Sequence, residues 1–260
     1  MYLLRSIISE LTEIAPGYYR MKLNAPEIAA AAKPGQFIQI RAVSELCADP
    51  LLARPISIYR INREEGGITL LFKAVGRGTK LMASKRAGDA VTVWGPIGNG
   101  FEVPEKARNI ALLAGGIGMP PLFCLQEGMN LEANPPQLTF FYGGKTGRDL
   151  LETELLEKAP VRLKIATEDG SMGFKGFITD LFTQEQRITG FDYLIACGPA
   201  PMLAAVQKIA ARLSLPGQIS LENYMACGVG ACLGCVCQTV QGPRRVCVDG
   251  PVFPIDEVIF

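Results

Sequence analysis

The pattern of apolar and polar positions changes rhythm once along this chain. In its first part, short β-rich runs at residues 3–9, 18–23, 37–41, 56–61, 68–74 and 91–94 are separated by Pro16-Gly17, Pro34-Gly35, Gly66-Gly67 and Gly88-Asp89. Short strands punctuated by such turn residues predict an antiparallel barrel or sandwich. Residues 25–33 and 78–85 read as short helices set into it.

After Gly100-Phe101 the rhythm becomes strand then helix. A polar stretch at 104–108 reads as a linker. Apolar runs follow at 110–114, 138–142, 163–166 and 193–197, and helical patterns at 121–129, 149–158, 177–182 and 202–213. Such alternation predicts βαβ units on a parallel sheet. From residue 215 the chain is Cys- and Gly-rich and too short to build a core of its own. The expected organisation is three segments, 1–103, 104–214 and 215–260, with no internal repeat or low-complexity stretch.

Composition narrows the chemistry. The 260 residues are 48% hydrophobic and 20% charged, enough to bury a sizeable core. A net charge of +1 with no basic block gives no footprint for nucleic acid or an anionic membrane. There is no histidine. That excludes Ser-His-Asp and Cys-His catalysis, His-ligated zinc or haem, and a Rieske centre. The apolar N-terminus is too short for a signal segment and is interrupted by Arg5, so it reads as a strand. The uncharged run at 109–126 is long enough to raise a membrane span. Its Gly115-Gly116, Gly118 and Pro120-Pro121 argue instead for a buried strand, a glycine turn and a helix start. Five of eight cysteines fall between Cys227 and Cys247. Clustering at one end of a large chain points to metal or iron–sulfur ligation in a reducing cytoplasm rather than to a disulfide framework.

Four motifs carry chemistry. Cys227, Cys232 and Cys235 have the spacing C-x4-C-x2-C, with Cys247 further on, which is the plant-type spacing for a 2Fe–2S cluster. Glycines between the first two allow backbone N–H groups to approach sulfur. A structural zinc knot is the alternative, although zinc usually takes two C-x2-C knuckles. Cys237 is a spare on this spacing, expected as a small buried hydrophobe. Ala114-Gly115-Gly116-Ile117-Gly118-Met119-Pro120-Pro121 joins a predicted strand to a helix, where a pyrophosphate could meet the backbone, or where glycines serve only close packing. Arg54-Pro55-Ile56-Ser57 offers an Arg fork and a hydroxyl suited to phosphate, or is a surface Arg before a strand. Cys197-Gly198-Pro199-Ala200-Pro201-Met202 ends a predicted parallel strand, where ligands bind, or holds a core thiol at a plain turn.

In this order the motifs resemble the ferredoxin–NADP reductase superfamily along the whole chain. The tail, from Glu222-Asn-Tyr-Met-Ala-Cys227 through Cys235 and then Arg245-Val-Cys247-Val-Asp-Gly-Pro-Val-Phe253, is similar to the electron-transfer subunits of NAD-dependent dihydroorotate dehydrogenases. So is Ala166-Thr-Glu-Asp-Gly-Ser171 with Gly176-Phe177. The resemblance implies an antiparallel FAD-binding β-barrel, an α/β parallel-sheet NAD-binding domain and a small C-terminal 2Fe–2S domain. By it, FAD contacts Arg54, Pro55, Ile56, Ser57, Leu71, Phe72, Lys73, Gly78 and Thr79. Gly115, Gly116 and Gly118 line the nicotinamide-nucleotide site, and Cys197 lies near the nicotinamide as a packing and polarity element. Cys227, Cys232, Cys235 and Cys247 ligate the cluster. Glu168, beside Asp169, stands where NADP-specific members carry a phosphate-binding Ser-Arg pair, which implies NAD; Lys145 and Arg148 weigh the other way. The implied partner is an FMN-containing dihydroorotate dehydrogenase catalytic subunit, in a two-plus-two assembly. Electrons would pass from its FMN through the cluster and FAD to NAD⁺, in pyrimidine biosynthesis. Two alternatives stay open: a diaphorase subunit of sulfhydrogenase or NADPH–ferredoxin transhydrogenase type, and a zinc-knotted nucleotide-fold scaffold.

Overall fold

The computed structural model describes residues 1–43, 49–131 and 133–260. It divides into two compact units. One comprises Met1–Gly100, Asn223–Cys237 and Pro243–Pro251; the other comprises Phe101–Glu222, Gln238–Gly242 and Val252–Phe260. The segment 215–260, expected as a third domain, is thus shared between the two.

The first unit is a closed six-stranded barrel. Its strands are β1 (Tyr2–Ala15), β2 (Tyr18–Asn24), β3 (Phe37–Arg41), β4 (Arg54–Asn62), β5 (Gly67–Lys73) and β6 (Ala90–Ile97), in the spatial order β1-β2-β5-β4-β3-β6. Every pair is antiparallel. Alternation fills the interior: on β6, Val91, Val93 and Ile97 are buried while Thr92 and Trp94 face outward. Strand β1 runs well past residue 9, where the apolar pattern fades. A bulge between Ile8 and Glu10 carries it on, and Glu10 then reaches Lys22 (2.6 Å) and Arg20 (3.3 Å) on β2. Cross-strand ion pairs there replace the hydrophobic signal. Short helices α1 (Pro26–Ala31) and α2 (Arg77–Ala83) cover the barrel.

The second unit is built on a seven-stranded sheet. It contains β7 (Asn109–Gly115), β8 (Gln137–Gly144), β9 (Arg162–Thr167), β10 (Phe174–Lys175), β11 (Tyr193–Cys197), β12 (Gly217–Ser220) and β15 (Val252–Pro254), in the order β10-β9-β8-β7-β11-β12-β15. All pair in parallel except β15, which runs antiparallel to β12. Strand β7 is central and wholly apolar inside, as a strand buried on both faces must be. Helices α3 (Met119–Met129), α4 (Thr153–Lys158), α5 (Ile178–Thr189) and α6 (Ala200–Leu213) complete the crossovers. Helix α5 is twice the length its apolar pattern suggested. Its second half is polar and solvent-facing, and it ends only at Gly190 (φ +66°). Helix α4 starts later than residue 149, because a separate turn closes first: Asp149 Oδ2 accepts the Thr146 N–H (3.1 Å), and Thr146 Oγ1 accepts the Arg148 N–H (3.2 Å). Phe141, Phe182 and Phe191 form the aromatic core, with ring centroids 5.5–5.9 Å apart.

The uncharged run at 109–126 is β7, a glycine turn and the start of α3. No helix among the described residues is long and apolar enough to cross a membrane. A hairpin of β13 (Val236–Thr239) and β14 (Gly242–Arg245) completes the chain's strands. Most of the apolar tail is used internally: Val252, Phe253, Ile255 and Val258 are buried, and Gln207 Nε2 donates to the carbonyls of Ile255 (2.6 Å) and Val258 (2.7 Å), while Ile259 and Phe260 are exposed.

Candidate functional site

The cysteine loop is organised around sulfur. The backbone N–H groups of Val229 and Cys232 each donate to Cys227 Sγ at 3.4 Å. Gly234 N–H donates to Cys232 Sγ, and Cys247 N–H to Cys235 Sγ, both at 3.4 Å. Gly228 (φ +69°) and Gly230 (φ +80°) supply the left-handed turns that point these amides inward. Burial opposes ionisation of Cys227, but the N–H donors of Val229, Cys232 and Ala231 outweigh it and bring its thiol down to about 6. Burial and the neighbouring Cys235 push Cys247 up to about 12. The thiols of Cys227 and Cys232 are within hydrogen-bonding reach, as are those of Cys235 and Cys247. No group of three His, Cys, Asp or Glu side chains among the described residues is arranged around a single ion. Two pairs of thiols are what a binuclear cluster needs, two on each iron. Cys235 and Cys247 are buried, and Cys232 is exposed.

Cys237 lies on β13 and is half-buried. Burial raises its pKa, with Cys235 and Asp249 nearby adding to the effect. Arg245 braces the loop from outside: its Nε reaches Asp249 Oδ2 at 3.2 Å, and Nη1 donates to the Gly230 carbonyl at 3.4 Å.

The barrel gathers its candidate residues at one end. Register pairs Ile58 with Leu70, so residues 54–57 of β4 and 71–73 of β5 extend beyond that pair on the same side. Arg54 Nη1 donates to the carbonyls of Leu52 (2.7 Å) and Ala53 (3.1 Å). The rest of the guanidinium lies over Gly78, where an added Cβ would sit 2.7 Å from Arg54 Cζ. Thr79 Oγ1 accepts the Gly76 N–H at 3.0 Å and fixes the turn into α2. Leu71 and Phe72 have buried side chains, and Phe72 stacks on Tyr19. Lys73 Nζ donates to Tyr18 Oη at 2.7 Å. Pro55, Ile56 and Ser57 are half-buried.

In the second unit, two motifs interlock at the carboxyl ends of β7 and β11, neighbouring strands where the chain order reverses across the sheet. Ligands bind at such switch points. The three glycines divide their roles. A Cβ on Gly115 would lie 2.6 Å from Met202 Sδ, and one on Gly118 would lie 2.5 Å from the Cys197 carbonyl oxygen. These two are absent side chains that let the C-G-P-x-P-M segment pack. Gly116 (φ +51°) faces open space, with nothing within 4 Å of an added Cβ. Cys197 is buried, with the Ser220 hydroxyl in hydrogen-bonding reach; burial, then the nearby Glu222 carboxylate, push the thiol far up and keep it neutral. Ser220 and Glu222 were not singled out as site residues from the sequence; only the pairing of Cys197 with Ser220 across β11 and β12 brings them there.

A stability prediction follows. Gly118→Ala forces a methyl against backbone that cannot swing away, and should destabilise the α/β unit by about 1–3 kcal/mol. Gly116→Ala carries only the smaller cost of its positive φ. Thermal melts of both variants check this; equal Tm values would contradict the packing role of Gly118.

Glu168 is exposed after β9, its N–H bound to the Gly144 carbonyl at 3.1 Å. Asp169 is committed to its own loop. Its Oδ1 accepts the Ser171 N–H (2.9 Å) and hydroxyl (2.6 Å), which holds its pKa below the usual range. Ser171 Oγ also accepts the Gly147 N–H at 2.8 Å, tying this loop to the one that carries Lys145 and Arg148. Of the two carboxylates, Glu168 is the one its own loop leaves outward.

Residues 222–259 match the family model "Iron-sulfur cluster binding domain of dihydroorotate dehydrogenase B", and residues 112–208 match "Oxidoreductase NAD-binding domain". The dihydroorotate dehydrogenase B (NAD(+)) electron transfer subunit of Desulforamulus reducens is 39% identical over 254 residues, covering 95% of this chain and 94% of its own length. That of Shouchella clausii is 40% identical over 261 residues, 98% of this chain and 97% of its own length. Among solved structures, an NADH-dependent reduced ferredoxin-NADP oxidoreductase superposes with a TM-score of 0.88 at 28% identity, covering 98% of this chain and 90% of its own. A ferredoxin NADP⁺ reductase from Neisseria gonorrhoeae, with bound FAD and NADP, shares the fold (TM-score 0.68, 16% identity, 83% of this chain, 92% of its own). With most of its length matched at this identity, the chain belongs to the family of electron transfer subunits of NAD-dependent dihydroorotate dehydrogenase B.

Proposed function

We propose that this chain holds FAD on its barrel and a 2Fe–2S cluster on Cys227, Cys232, Cys235 and Cys247, and exchanges electrons with NAD⁺ at its parallel sheet. Functionally the chain then reads as 1–103, 104–214 and 215–260. The observation that carries this is the cysteine loop: paired thiols surrounded by inward amides, with Cys227 brought down to about 6. At Cys227 the amides favour the thiolate, the form an iron ligand must take. The C-x4-C-x2-C spacing with Cys247 further on fits an iron–sulfur cluster better than a zinc knot, which usually takes two C-x2-C knuckles. When bound, the cluster carries electrons singly and FAD exchanges them in pairs with a nicotinamide.

The residues supply binding and orientation. Arg54, lying over the bare backbone of Gly78, is suited to grip a pyrophosphate. Pro55, Ile56 and Ser57 would contact the flavin from β4, and Leu71, Phe72, Lys73 and Thr79 would border it, with Tyr18 steering Lys73. Gly116 would admit the nicotinamide nucleotide to the backbone, while Gly115 and Gly118 shape the turn. Cys197, a neutral buried thiol, would serve as a packing surface rather than a nucleophile. Glu168 would accept a ribose 2′-OH and repel a 2′-phosphate. No proton-transfer base is required, which is how a chain without histidine can serve a redox reaction.

The partner would be an FMN-containing catalytic subunit, in a two-plus-two assembly in the cytoplasm. Tyr224 (94% exposed), Val229, Leu233 and Val248 expose apolar surface in the segments that carry the ligand cysteines. Such a patch beside the exposed Cys232 suits a docking face for another redox protein. Purified alone, the chain should reduce artificial acceptors with NADH and give no dihydroorotate:NAD⁺ activity. Co-purified with its partner, it should support that activity. Dihydroorotate oxidation by the isolated chain, or no restored coupling, would overturn the reading.

A second reading, a transhydrogenase-type subunit, draws on the fold match at TM-score 0.88. The ratio of kcat/KM for NADH and NADPH separates the two. Preference for NADH supports the first; a clear preference for NADPH, with Lys145 and Arg148 then holding the phosphate, supports the second.

A further inference from the structure

Gln39 is a buried side chain with unmet needs. It lies on β3 and is 0% exposed, and neither its Nε2 nor its Oε1 has a hydrogen-bond partner among the described residues. Fully buried carboxamides without partners are rare, because each orphaned group forfeits its hydration. Its surroundings indicate what is missing. Across the ladder its neighbours are Pro55 on β4 and Trp94 on β6. Trp94 Nε1 donates to the carbonyl of Cys227 at 3.3 Å. Gln39 itself is pressed on the next residue of the cysteine loop: an added Cβ at Gly228 would lie 2.8 Å from Gln39 Cγ and 3.0 Å from its Nε2. The carboxamide is therefore wedged between the strand that carries Pro55 and the residue that follows the first cysteine of the loop.

We infer that Gln39 is a positioning residue for the iron–sulfur site, its Nε2–H donating to the Cys227 sulfur when the cluster is bound and so setting the cluster's potential. This rests on the reading of the four cysteines as cluster ligands. The physical case is direct. An N–H donor stabilises the more negative, reduced form of a thiolate-ligated cluster, and therefore raises its potential. Cys227 already draws backbone donors from Val229 and Cys232, so its sulfur is the acceptor around which this part of the loop is arranged. A donor from the barrel adds one whose position is fixed by β3 rather than by the loop. Gly228 has to lack a side chain for the carboxamide to come so close.

The test uses the complex with its catalytic partner, carrying Gln39→Met or Gln39→Glu. Methionine keeps the bulk and loses the donor; glutamate keeps the shape and presents acceptors. Iron, sulfide and FAD are quantified, and the cluster and flavin potentials are measured separately by electron paramagnetic resonance and optical titration. Both variants should keep the cluster and shift its reduced-to-oxidised equilibrium at least tenfold towards the oxidised form, 59 mV for one electron. The FAD potential should not move. A cluster potential unchanged in both variants overturns the assignment. So does a shift confined to the flavin, or loss of the cluster with FAD retained in both, since a potential-setting bond is not needed for assembly. Wild-type protein free of iron and sulfide would instead overturn the cluster reading on which the inference stands.

Discussion

Replacing Cys235 by serine abolishes cluster binding: iron and sulfide per chain fall to near zero while FAD stays in place. The expectation rests on where the four sulfurs lie. Cys235 and Cys247 are buried as a pair, and Cys247 N–H already donates to Cys235 Sγ. A serine hydroxyl there is a harder, far less acidic ligand than the thiolate it replaces. Cys227→Ser and Cys232→Ser should act in the same direction, and Cys247→Ser as well. Cys237→Ser is the contrasting case. Cys237 is half-buried on β13 and falls outside the spacing that joins Cys227, Cys232 and Cys235. That variant should keep full iron and sulfide. Metal and acid-labile sulfide analysis of all five variants decides it. Cluster loss in Cys237→Ser combined with retention in Cys235→Ser would reverse the ligand assignment.

FAD affinity should fall roughly 10- to 150-fold in Arg54→Ala, corresponding to about 1.5–3 kcal/mol for a lost charge-assisted hydrogen bond. The guanidinium is oriented before any ligand arrives. Leu52 and Ala53 carbonyls hold Nη1, and the remainder spans the bare backbone of Gly78. Preorganisation of this kind lowers the entropy cost of gripping a phosphate. Arg54→Lys should recover only part of the loss, because an ammonium lacks the planar fork. Gly78→Ala offers a second route to the same site. Its new Cβ would collide with Arg54 and displace the guanidinium, so flavin binding should weaken there too. Flavin release monitored by fluorescence measures all three. An unchanged Kd in Arg54→Ala would remove Arg54 from the flavin site.

Much of this molecule is written locally. Alternation with turn residues between strands marked the six barrel strands, because a sheet with one buried face repeats every two residues. The change to apolar runs followed by helical patterns marked the parallel sheet, whose central strands are buried on both faces. The spacing of Cys227, Cys232 and Cys235 marked the cluster loop, since a short loop around a metal fixes its donors close together in sequence. Elements whose support comes from partners were shortened or missed. Strand β1 continues on ion pairs between Glu10 and β2, α5 continues on a polar face, and β15 adds an antiparallel edge from residues far along the chain. What only the tertiary structure decided is what each small or polar side chain meets. Gly115 and Gly118 are packing positions while Gly116 opens to space, a difference set by Met202 and Cys197 more than seventy residues away. Asp169 is consumed by Ser171 and Glu168 is not. Gln39, a polar residue between two isoleucines on β3, is brought against Gly228 only when the barrel closes and the cysteine loop folds onto it. For the glycines and Gln39 the reason is the same: a missing Cβ or an orphaned carboxamide has meaning only through the atoms that surround it, and those come from distant segments that local sequence does not specify.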